Sequence, residues 1–296
     1  MSSVTKHFTY NVRYNVGDPM IFTPLIPPEE VLPLLGQAVV LDARNGPDAA
    51  DAYRSAHLPH ALRVDLEADL SELGDPASGG RHPLPPLDLW LARVGDWGIS
   101  PSTPVIVYDA AGAGMAAARA WWMLRAIGHE HVTVVDGGWQ ALLLAGVPTE
   151  AGDSRADAAG PYPSEVRAWP GVDAAFVESI RADSTWRVID ARAPERYQGR
   201  FEPLDPVAGH IPGAHNLYWQ SQLDTRGAFS PRETLRERYA AILGEVPSER
   251  VVCYCGSGVT ACHLLLAMEA CGLGGARLYV GSWSEWCRQA RPAAAD

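Results

Sequence analysis

The feature that most constrains the fold of this 296-residue chain is an internal repeat with a spacing of about 150 residues. Four short segments of the first half recur in the same order in the second half. The pairs are Leu41-Asp42-Ala43-Arg44 and Ile189-Asp190-Ala191-Arg192, Ala56-His57-Leu58-Pro59-His60-Ala61 and Gly209-His210-Ile211-Pro212-Gly213-Ala214, Val105-Ile106-Val107-Tyr108-Asp109 and Val251-Val252-Cys253-Tyr254-Cys255, and Gly137-Gly138-Trp139 and Gly281-Ser282-Trp283. A duplicated domain explains this pattern. We predict an N-terminal domain at 22–150, a small, polar linker at 151–165 and a C-terminal domain at 166–296, and assign no function to residues 1–21.

Each half alternates short apolar runs with segments of helical periodicity. Such alternation predicts an α/β fold with a mainly parallel sheet and helices on both faces of each domain. In the first copy we expect a short helix at 29–35 and a longer one at 115–127. We expect Trp121, Trp122 and Trp139 to pack within that copy.

Cys255 lies between a predicted strand and a predicted helix of the second copy. An apolar, β-prone run ends at this cysteine, a turn with two glycines follows, and a helical apolar run begins after it. Loop amides and a helix N-terminus form an anion-binding environment at the carboxyl end of a strand. Such settings lower cysteine pKa values from about 8.5 to about 3.5–7.5. We therefore interpret Cys255 as a nucleophile; the alternative is a buried structural cysteine in a tight turn. The first copy has Asp109 at this position and is expected to support the other domain.

Composition excludes several classes of function. The net charge of −11 argues against nucleic-acid or anionic-membrane binding, and no apolar run approaches the length of a membrane span. The five cysteines cluster between Cys253 and Cys287, which is not typical of a disulfide framework and favours a reducing cytoplasm. Lys6 is the only lysine, so Schiff-base chemistry on a core lysine is excluded.

The motifs resemble the two-domain sulfurtransferases, rhodanese and 3-mercaptopyruvate sulfurtransferase, over about residues 30–290. The matching segments are Asp190-Ala191-Arg192, Gly209-His210-Ile211-Pro212-Gly213-Ala214, Cys255-Gly256-Ser257-Gly258-Val259-Thr260-Ala261 and Gly281-Ser282-Trp283-Ser284-Glu285-Trp286. The resemblance implies tandem rhodanese-like domains and a cysteine that carries sulfur as a persulfide without a cofactor or metal. It also implies a small-molecule sulfur donor and, as acceptor, cyanide or a thiol such as thioredoxin or glutathione.

The resemblance also suggests 3-mercaptopyruvate as the donor, which would leave as pyruvate, with thiosulfate as the alternative. Rhodaneses that use thiosulfate are similar but carry basic residues in the loop, whereas this loop has no cation and matches the mercaptopyruvate type. Arg196 falls on the family's substrate arginine, Arg200 is a second candidate, and the position of a further substrate arginine holds Asp205. The remaining substrate-binding residues we expect are those of the loop, Gly256, Gly258, Val259 and Thr260.

Mercaptopyruvate enzymes are also proposed to pair the loop serine with a histidine and an acid from the first domain. Ser257 matches that serine and His82 the histidine. The acid position falls on Glu67, and Asp65 is close by.

Several simpler interpretations compete with these roles. Arg196 could be a surface residue and Ser257 a plain turn residue. His57 and His210, present in both copies, are expected to be structural, as are Asp42 and Asp190 at strand ends. Trp283 and Trp286 are expected in the core and the cleft wall.

Other chemistries remain alternatives. The spacing of Cys253, Cys255, Cys262, His263 and Cys271 does not suit a zinc site, although Cys253 or Cys262 could resolve an oxidised Cys255. A cysteine phosphatase needs an arginine six residues after the nucleophile, where this chain has Ala261. The non-enzymatic alternative is a sulfur-carrier or partner-binding module.

Overall fold

The computed structural model describes residues 23–112 and 114–296. The predicted start of the first domain at Phe22, and the preceding segment to which no function was assigned, lie outside these residues. In the described part, each half of the chain contributes one parallel β-sheet.

The first sheet has the strand order β1-β5-β4-β2-β3. Its strands are β1 (Leu25–Ile26), β2 (Val39–Asp42), β3 (Leu62–Arg63), β4 (Val105–Tyr108) and β5 (Val132–Val135). Its helices are α1 (Ala49–Ser55), α2 (Leu87–Asp96), α3 (Ala116–Ala126) and α4 (Gly138–Leu144). Every residue of β4 is buried, as the continuous apolar run predicts for a strand that is covered on both faces.

The second sheet has the order β7-β6-β8-β9. Its strands are β6 (Arg187–Asp190), β7 (His215–Asn216), β8 (Val251–Tyr254) and β9 (Arg277–Leu278). Its helices are α5 (Ala174–Ile180), α6 (Pro194–Tyr197), α7 (Arg232–Leu243), α8 (Thr260–Ala270) and α9 (Ser282–Trp286). The order repeats that of β3-β2-β4-β5, which confirms the predicted duplication and fold class.

The repeated Asp-Ala-Arg segments form the same buried ion pair at the end of a strand in both sheets. Asp190, at the end of β6, accepts hydrogen bonds from the Arg192 backbone amide at 2.9 Å and from its guanidinium at 2.6 Å. Asp42 binds Arg44 in the same way at the end of β2. These buried charges are paired and hydrogen-bonded, as burial requires. The prediction that both aspartates are structural is confirmed.

The repeated histidines are structural as well. His57 stacks on Tyr53 and its Nδ1 lies 2.8 Å from the Tyr53 carbonyl oxygen. His210 stacks on Tyr197 and its Nδ1 lies 2.8 Å from the Tyr197 carbonyl oxygen. Each ring therefore fixes the same turn in its own domain.

The two halves share an apolar core. Helix α3 packs against α8, and one cluster of buried residues runs from Leu41 in the first sheet to Leu278 in the second. The prediction that Trp121 and Trp122 pack within the first copy is wrong. Both line a surface cavity together with Leu265 of α8, and Trp122 also stacks on Trp169. Two large rings from the middle of α3 therefore lie where the domains meet.

Other aromatic residues lie where the sequence predicts. Trp139 stacks on Tyr108 within the first copy, and Trp283 and Trp286 are fully buried in the second. The predicted helix at 29–35 is instead two 3-10 turns, Pro28–Glu30 and Leu32–Leu34. Pro33 lacks the N–H that a continuous helix would use there.

None of the described helices is long and apolar enough to cross a membrane.

Candidate active site

Cys255 is the first residue after β8, one position beyond the observed end of the strand. It is 2% exposed. Its amide donates to Ser282 Oγ at 3.1 Å, and its carbonyl accepts from the Trp283 amide at 3.0 Å. The Gly-Ser-Trp segment thus fixes the backbone of the candidate nucleophile from the neighbouring strand end.

The turn after Cys255 presents unused amides. In the described chain, the amides of residues 256–259 donate no hydrogen bond to another residue. The equivalent turn of the first domain contains its own anion: the Asp109 carboxylate accepts hydrogen bonds from the amides of Ala111 at 2.9 Å, Met115 at 3.3 Å and Ala117 at 3.2 Å. An aspartate that fills the turn in one copy supports the interpretation of the other as a place for a sulfur anion.

Gly258 is required by the shape of this turn. Its φ of +77° is left-handed, and a Cβ there would lie 2.4 Å from the Val280 carbonyl oxygen. Val259 precedes the first turn of α8, and Thr260 begins the helix. The four residues predicted to bind substrate after Cys255 therefore form one close-packed turn at a helix N-terminus.

Ser257, His82 and Glu67 form a hydrogen-bonded series beside this turn. Ser257 Oγ lies 2.7 Å from His82 Nδ1, and His82 Nε2 lies 2.8 Å from Glu67 Oε1. Nε2–H donating to the carboxylate leaves Nδ1 to accept from the serine hydroxyl, since a neutral imidazole has one donor and one acceptor. Asp65 instead pairs with Arg63 and accepts the Glu67 amide. The structure thus brings together all three residues named from the sequence, with Glu67 as the acid.

The environment of His82 favours its neutral form. Burial lowers the pKa of His82 below its ordinary value of 6.5, and the opposing effect of Glu67 does not cancel that shift. Glu67 is itself about half exposed, so its interaction with the imidazole is weakened by solvent. The imidazole is therefore an acceptor for the Ser257 hydroxyl at neutral pH.

A glycine-rich segment of the first domain places His82 at this site. A Cβ at Gly80, whose φ is +82°, would lie 2.4 Å from the Gly281 carbonyl oxygen, so only glycine permits the approach. The amides of Gly79 and Arg81 donate to Glu285 Oε1 at 2.9 Å and to Ser284 Oγ at 3.1 Å. The segment is bound to α9 by its backbone.

Two guanidinium groups border the turn at Gly256. A Cβ at Gly256 would lie 3.0 Å from Arg81 Nη2 and 3.4 Å from Arg196 Nη1. Arg196 uses Nε and Nη2 to bind Glu202, and Arg81 uses Nη1 to bind Asp205. Within the described residues, Arg81 Nη2 and Arg196 Nη1 donate to no other group. They are positioned to receive an anion next to Cys255.

Asp205 has a role that its position in the sequence did not suggest. Its buried carboxylate binds Arg81 and also Arg288 Nη1 at 2.7 Å, with Arg196 Nη2 3.5 Å away. Asp205, which stands where the family has a further substrate arginine, therefore binds Arg81 of the other domain. Sequence analysis assigned no role to Arg81. Its position directly before His82 was the one indication that it lies near the site. Arg200 is exposed, unlike Arg196.

The other cysteines have less reactive surroundings. Burial raises the pKa of Cys253 well above its ordinary value and that of Cys262 to about 12. Neither therefore supplies a ready thiolate to resolve an oxidised Cys255. In the chain as described, no three His, Cys, Asp or Glu side chains lie close enough to hold a metal ion.

Comparison with known proteins identifies the architecture. The Rhodanese family, described as the rhodanese-like domain, matches residues 27–145 and 173–289. The chain belongs to the rhodanese family. The predicted boundaries at 22–150 and 166–296 enclose these two matches but remain predictions.

Relatives of this rhodanese-family chain carry two kinds of name. It is 41% identical over 244 residues to a probable 3-mercaptopyruvate sulfurtransferase of Pseudomonas aeruginosa, covering 82% of this chain and 85% of that protein. It is 38% identical over 253 residues to a putative thiosulfate sulfurtransferase of Mycobacterium tuberculosis, covering 83% and 87%. The solved 3-mercaptopyruvate sulfurtransferase from Leishmania major superimposes with a TM-score of 0.82 at 32% identity, covering 91% of this chain and 75% of that one.

The Glu67–His82 contact can be tested by titration. In the wild-type protein we expect the His82 imidazole to titrate below pH 6.5, because burial disfavours its cation. Glu67→Gln removes the carboxylate that favours the cation, so the midpoint should fall further. NMR of the imidazole protons measures both midpoints, with Glu72→Gln, an exposed acid of the same segment, as control. A higher midpoint in Glu67→Gln would contradict the assigned pairing.

Proposed function

We propose that this chain is a sulfurtransferase that moves sulfur from 3-mercaptopyruvate through a Cys255 persulfide to a thiol or to cyanide, releasing pyruvate. The hydrogen-bonded series Ser257–His82–Glu67 beside the cysteine turn carries the proposal. It provides proton transfer that this donor needs and that a proton-free dianion such as thiosulfate does not. The names of the Pseudomonas and Leishmania relatives agree with this donor.

The first half-reaction forms the persulfide. The Cys255 thiolate attacks the sulfur of the donor, a sulfur–sulfur bond forms, and the carbon–sulfur bond breaks with its electron pair remaining on carbon. The enolate of pyruvate so produced takes up the proton that the donor thiol loses. Thiolate and mercaptopyruvate thus become a persulfide anion and pyruvate, with atoms and charge balanced.

Ser257 and His82 are placed to carry that proton. The neutral imidazole accepts from the serine hydroxyl, so the pair can receive the thiol proton on one side and return it to the methylene carbon. Glu67 holds the ring in the required tautomer and stabilises the imidazolium that forms transiently. The exposed position of Glu67 makes it the least essential of the three.

Two arginines bind the carboxylate of the donor. Arg196 Nη1 and Arg81 Nη2 both border Gly256 and are not engaged by protein acceptors among the described residues. Guanidinium edges are suited to carboxylate oxygens, and Glu202 and Asp205 hold them from behind. The amides of Gly256, Gly258, Val259 and Thr260 then surround the transferred sulfur and hold its negative charge.

The second half-reaction returns the cysteine. An acceptor thiolate or cyanide attacks the outer sulfur, forms a bond to it and releases the Cys255 thiolate. Thioredoxin, glutathione and cyanide are the acceptor candidates. All five cysteines are free, which supports a reducing compartment such as the cytoplasm.

Thiosulfate is the second candidate donor. The name of the Mycobacterium relative favours it, and the two free guanidinium edges would also suit a compact dianion. Against it, the turn itself contains no basic residue. In the first half-reaction thiosulfate would transfer its outer sulfur and leave sulfite.

The donor assignment predicts a higher kcat/KM for 3-mercaptopyruvate than for thiosulfate, because only the former uses the Ser257–His82 pair and a carboxylate clamp. Steady-state kinetics with cyanide as common acceptor measures both values. Ser257→Ala should reduce the mercaptopyruvate value more than the thiosulfate value. A larger thiosulfate value would reverse the assignment.

The carboxylate clamp predicts that Arg196→Ala raises KM for 3-mercaptopyruvate roughly 10- to 100-fold, as expected for the loss of a charged hydrogen bond. Arg192 remains bound to Glu202 in this variant, so the fold should persist. Arg200→Ala is the matched comparison, since Arg200 is exposed. An effect of Arg200→Ala without one from Arg196→Ala would identify Arg200 as the substrate residue.

The nucleophile can be assigned by intact mass after incubation with 3-mercaptopyruvate. The wild-type protein and Cys253→Ser should each gain one sulfur atom, whereas Cys255→Ser should gain none and lose turnover. Cys253 is fully buried and its pKa is raised, which supports Cys255 as the carrier. A wild-type protein that gains sulfur but never passes it on would instead be a sulfur-carrier module.

A further inference from the structure

Arg119 is a fully buried arginine of the first domain that lies behind the cysteine turn. It projects from α3 and is 0% exposed. Its Nη1 donates to the Gly258 carbonyl oxygen at 3.0 Å, and its Nη2 donates to the carbonyls of His82 at 3.0 Å and Leu70 at 3.4 Å. One guanidinium therefore joins the segment carrying His82 to the turn carrying Cys255.

Among the described residues, no carboxylate forms an ion pair with Arg119. Its Nε also has no hydrogen-bond partner in that part of the chain. Buried charges are costly unless they are paired. Burial lowers the pKa of Arg119, and the groups that oppose this effect are Cys262 and Cys255. No carboxylate of the described chain therefore offsets this buried cation, and the ionisable groups beside it include these cysteines.

Of these two cysteines, Cys255 is the one suited to carry the charge. Cys262 Sγ–H donates to the Gly258 carbonyl oxygen at 3.4 Å, the acceptor that Arg119 also uses. Burial raises the pKa of Cys262 to about 12 although Arg119 opposes that rise, so this thiol stays protonated at neutral pH. Cys255 begins the turn whose amides are unused.

We infer that Arg119 is a positioning residue that supplies the counter-charge for the Cys255 thiolate and for its persulfide, and this inference rests on the proposed role of Cys255. Arg119 also orients the turn. In a trans peptide the C=O and N–H point in opposite directions, so holding the Gly258 carbonyl on the Arg119 side directs the Val259 amide to the opposite side.

Other ionisable groups lie around Cys255 and must stay unchanged in the test. They come from β8, α8, α6 and the segment before α2, and are Cys253, Cys262, Arg196, Arg81 and His82. Arg119 differs from the other two arginines in being fully buried, so its effect should be the least sensitive to salt.

The test measures the rate of Cys255 alkylation by iodoacetamide between pH 5 and 10, followed by peptide mass. In Arg119→Met we expect the midpoint of the pH profile to rise by about one unit or more, as for loss of a nearby opposite charge. At pH 7 alkylation should slow, with the high-pH plateau retained. Arg119→Lys, which keeps the charge, should lie between Arg119→Met and the wild type.

Arg125→Met is the matched control, since it removes the same charge from the same helix at the partly exposed end near Trp122. It should leave the midpoint unchanged. A folded Arg119→Met with the wild-type midpoint would overturn the inference and leave Arg119 as a link between carbonyls. Because alkylation needs no sulfur donor, this result is separate from any failure of sulfur transfer.

If Arg119→Met does not fold, an NMR measurement on the wild-type protein tests the inference instead. The ¹³Cζ resonance of Arg119, assigned with Arg119→Lys, should shift with the midpoint of Cys255 alkylation. The shift should be absent in Cys255→Ser. A resonance that does not change across this range in the wild-type protein would overturn the inference.

Discussion

The contact on which the candidate site depends is the approach of the Gly80 backbone to the Gly281 carbonyl oxygen, where a Cβ at Gly80 would lie 2.4 Å from that oxygen. It brings the segment before α2 against α9, whose own first residues hold the Cys255 backbone. Arg81 and His82 follow directly and are thereby fixed relative to the cysteine. The geometry of the site is therefore a property of the domain interface, in keeping with the tendency of ligand sites to lie between domains.

The two domains are alike in some structural features and differ in others. The strand-end pairs of Asp42 with Arg44 and of Asp190 with Arg192 are alike in both copies, because they stabilise a turn that each domain needs. The turn after the fourth strand differs, with Asp109 in one copy and Cys255 in the other. The two copies therefore differ in this turn while the surrounding hydrogen bonds are alike.

Local patterns in the sequence were sufficient to predict the sheets, the strand–turn–helix unit around Cys255 and the structural histidines, because each depends on residues close together along the chain. The series from Ser257 to Glu67 was predicted through resemblance, since no periodicity relates residues that far apart. Arg81 and Arg119 were missed for the same reason. An arginine within the alanine-rich run of α3 was the available signal for Arg119.

The arrangement of Trp121 and Trp122 illustrates the remaining limit. Large aromatic side chains are expected to be buried, but the sequence does not say which domain covers them. Similarly, Arg196 could be placed near the site from its motif, whereas its orientation depends on Glu202 and on the buried Asp205. Partner identity across a tertiary interface is decided by packing that the sequence does not encode locally.

Asp109 has a consequence for stoichiometry. Its carboxylate accepts hydrogen bonds from amides of the first-domain turn, where a bound anion would lie in the equivalent turn of the second domain. Under the proposed function, each polypeptide would carry one mobile sulfur atom at a time, and release would precede reloading. In the first domain, Asp109 therefore occupies the position that Cys255 has in the second domain, and that turn has no cysteine to carry sulfur.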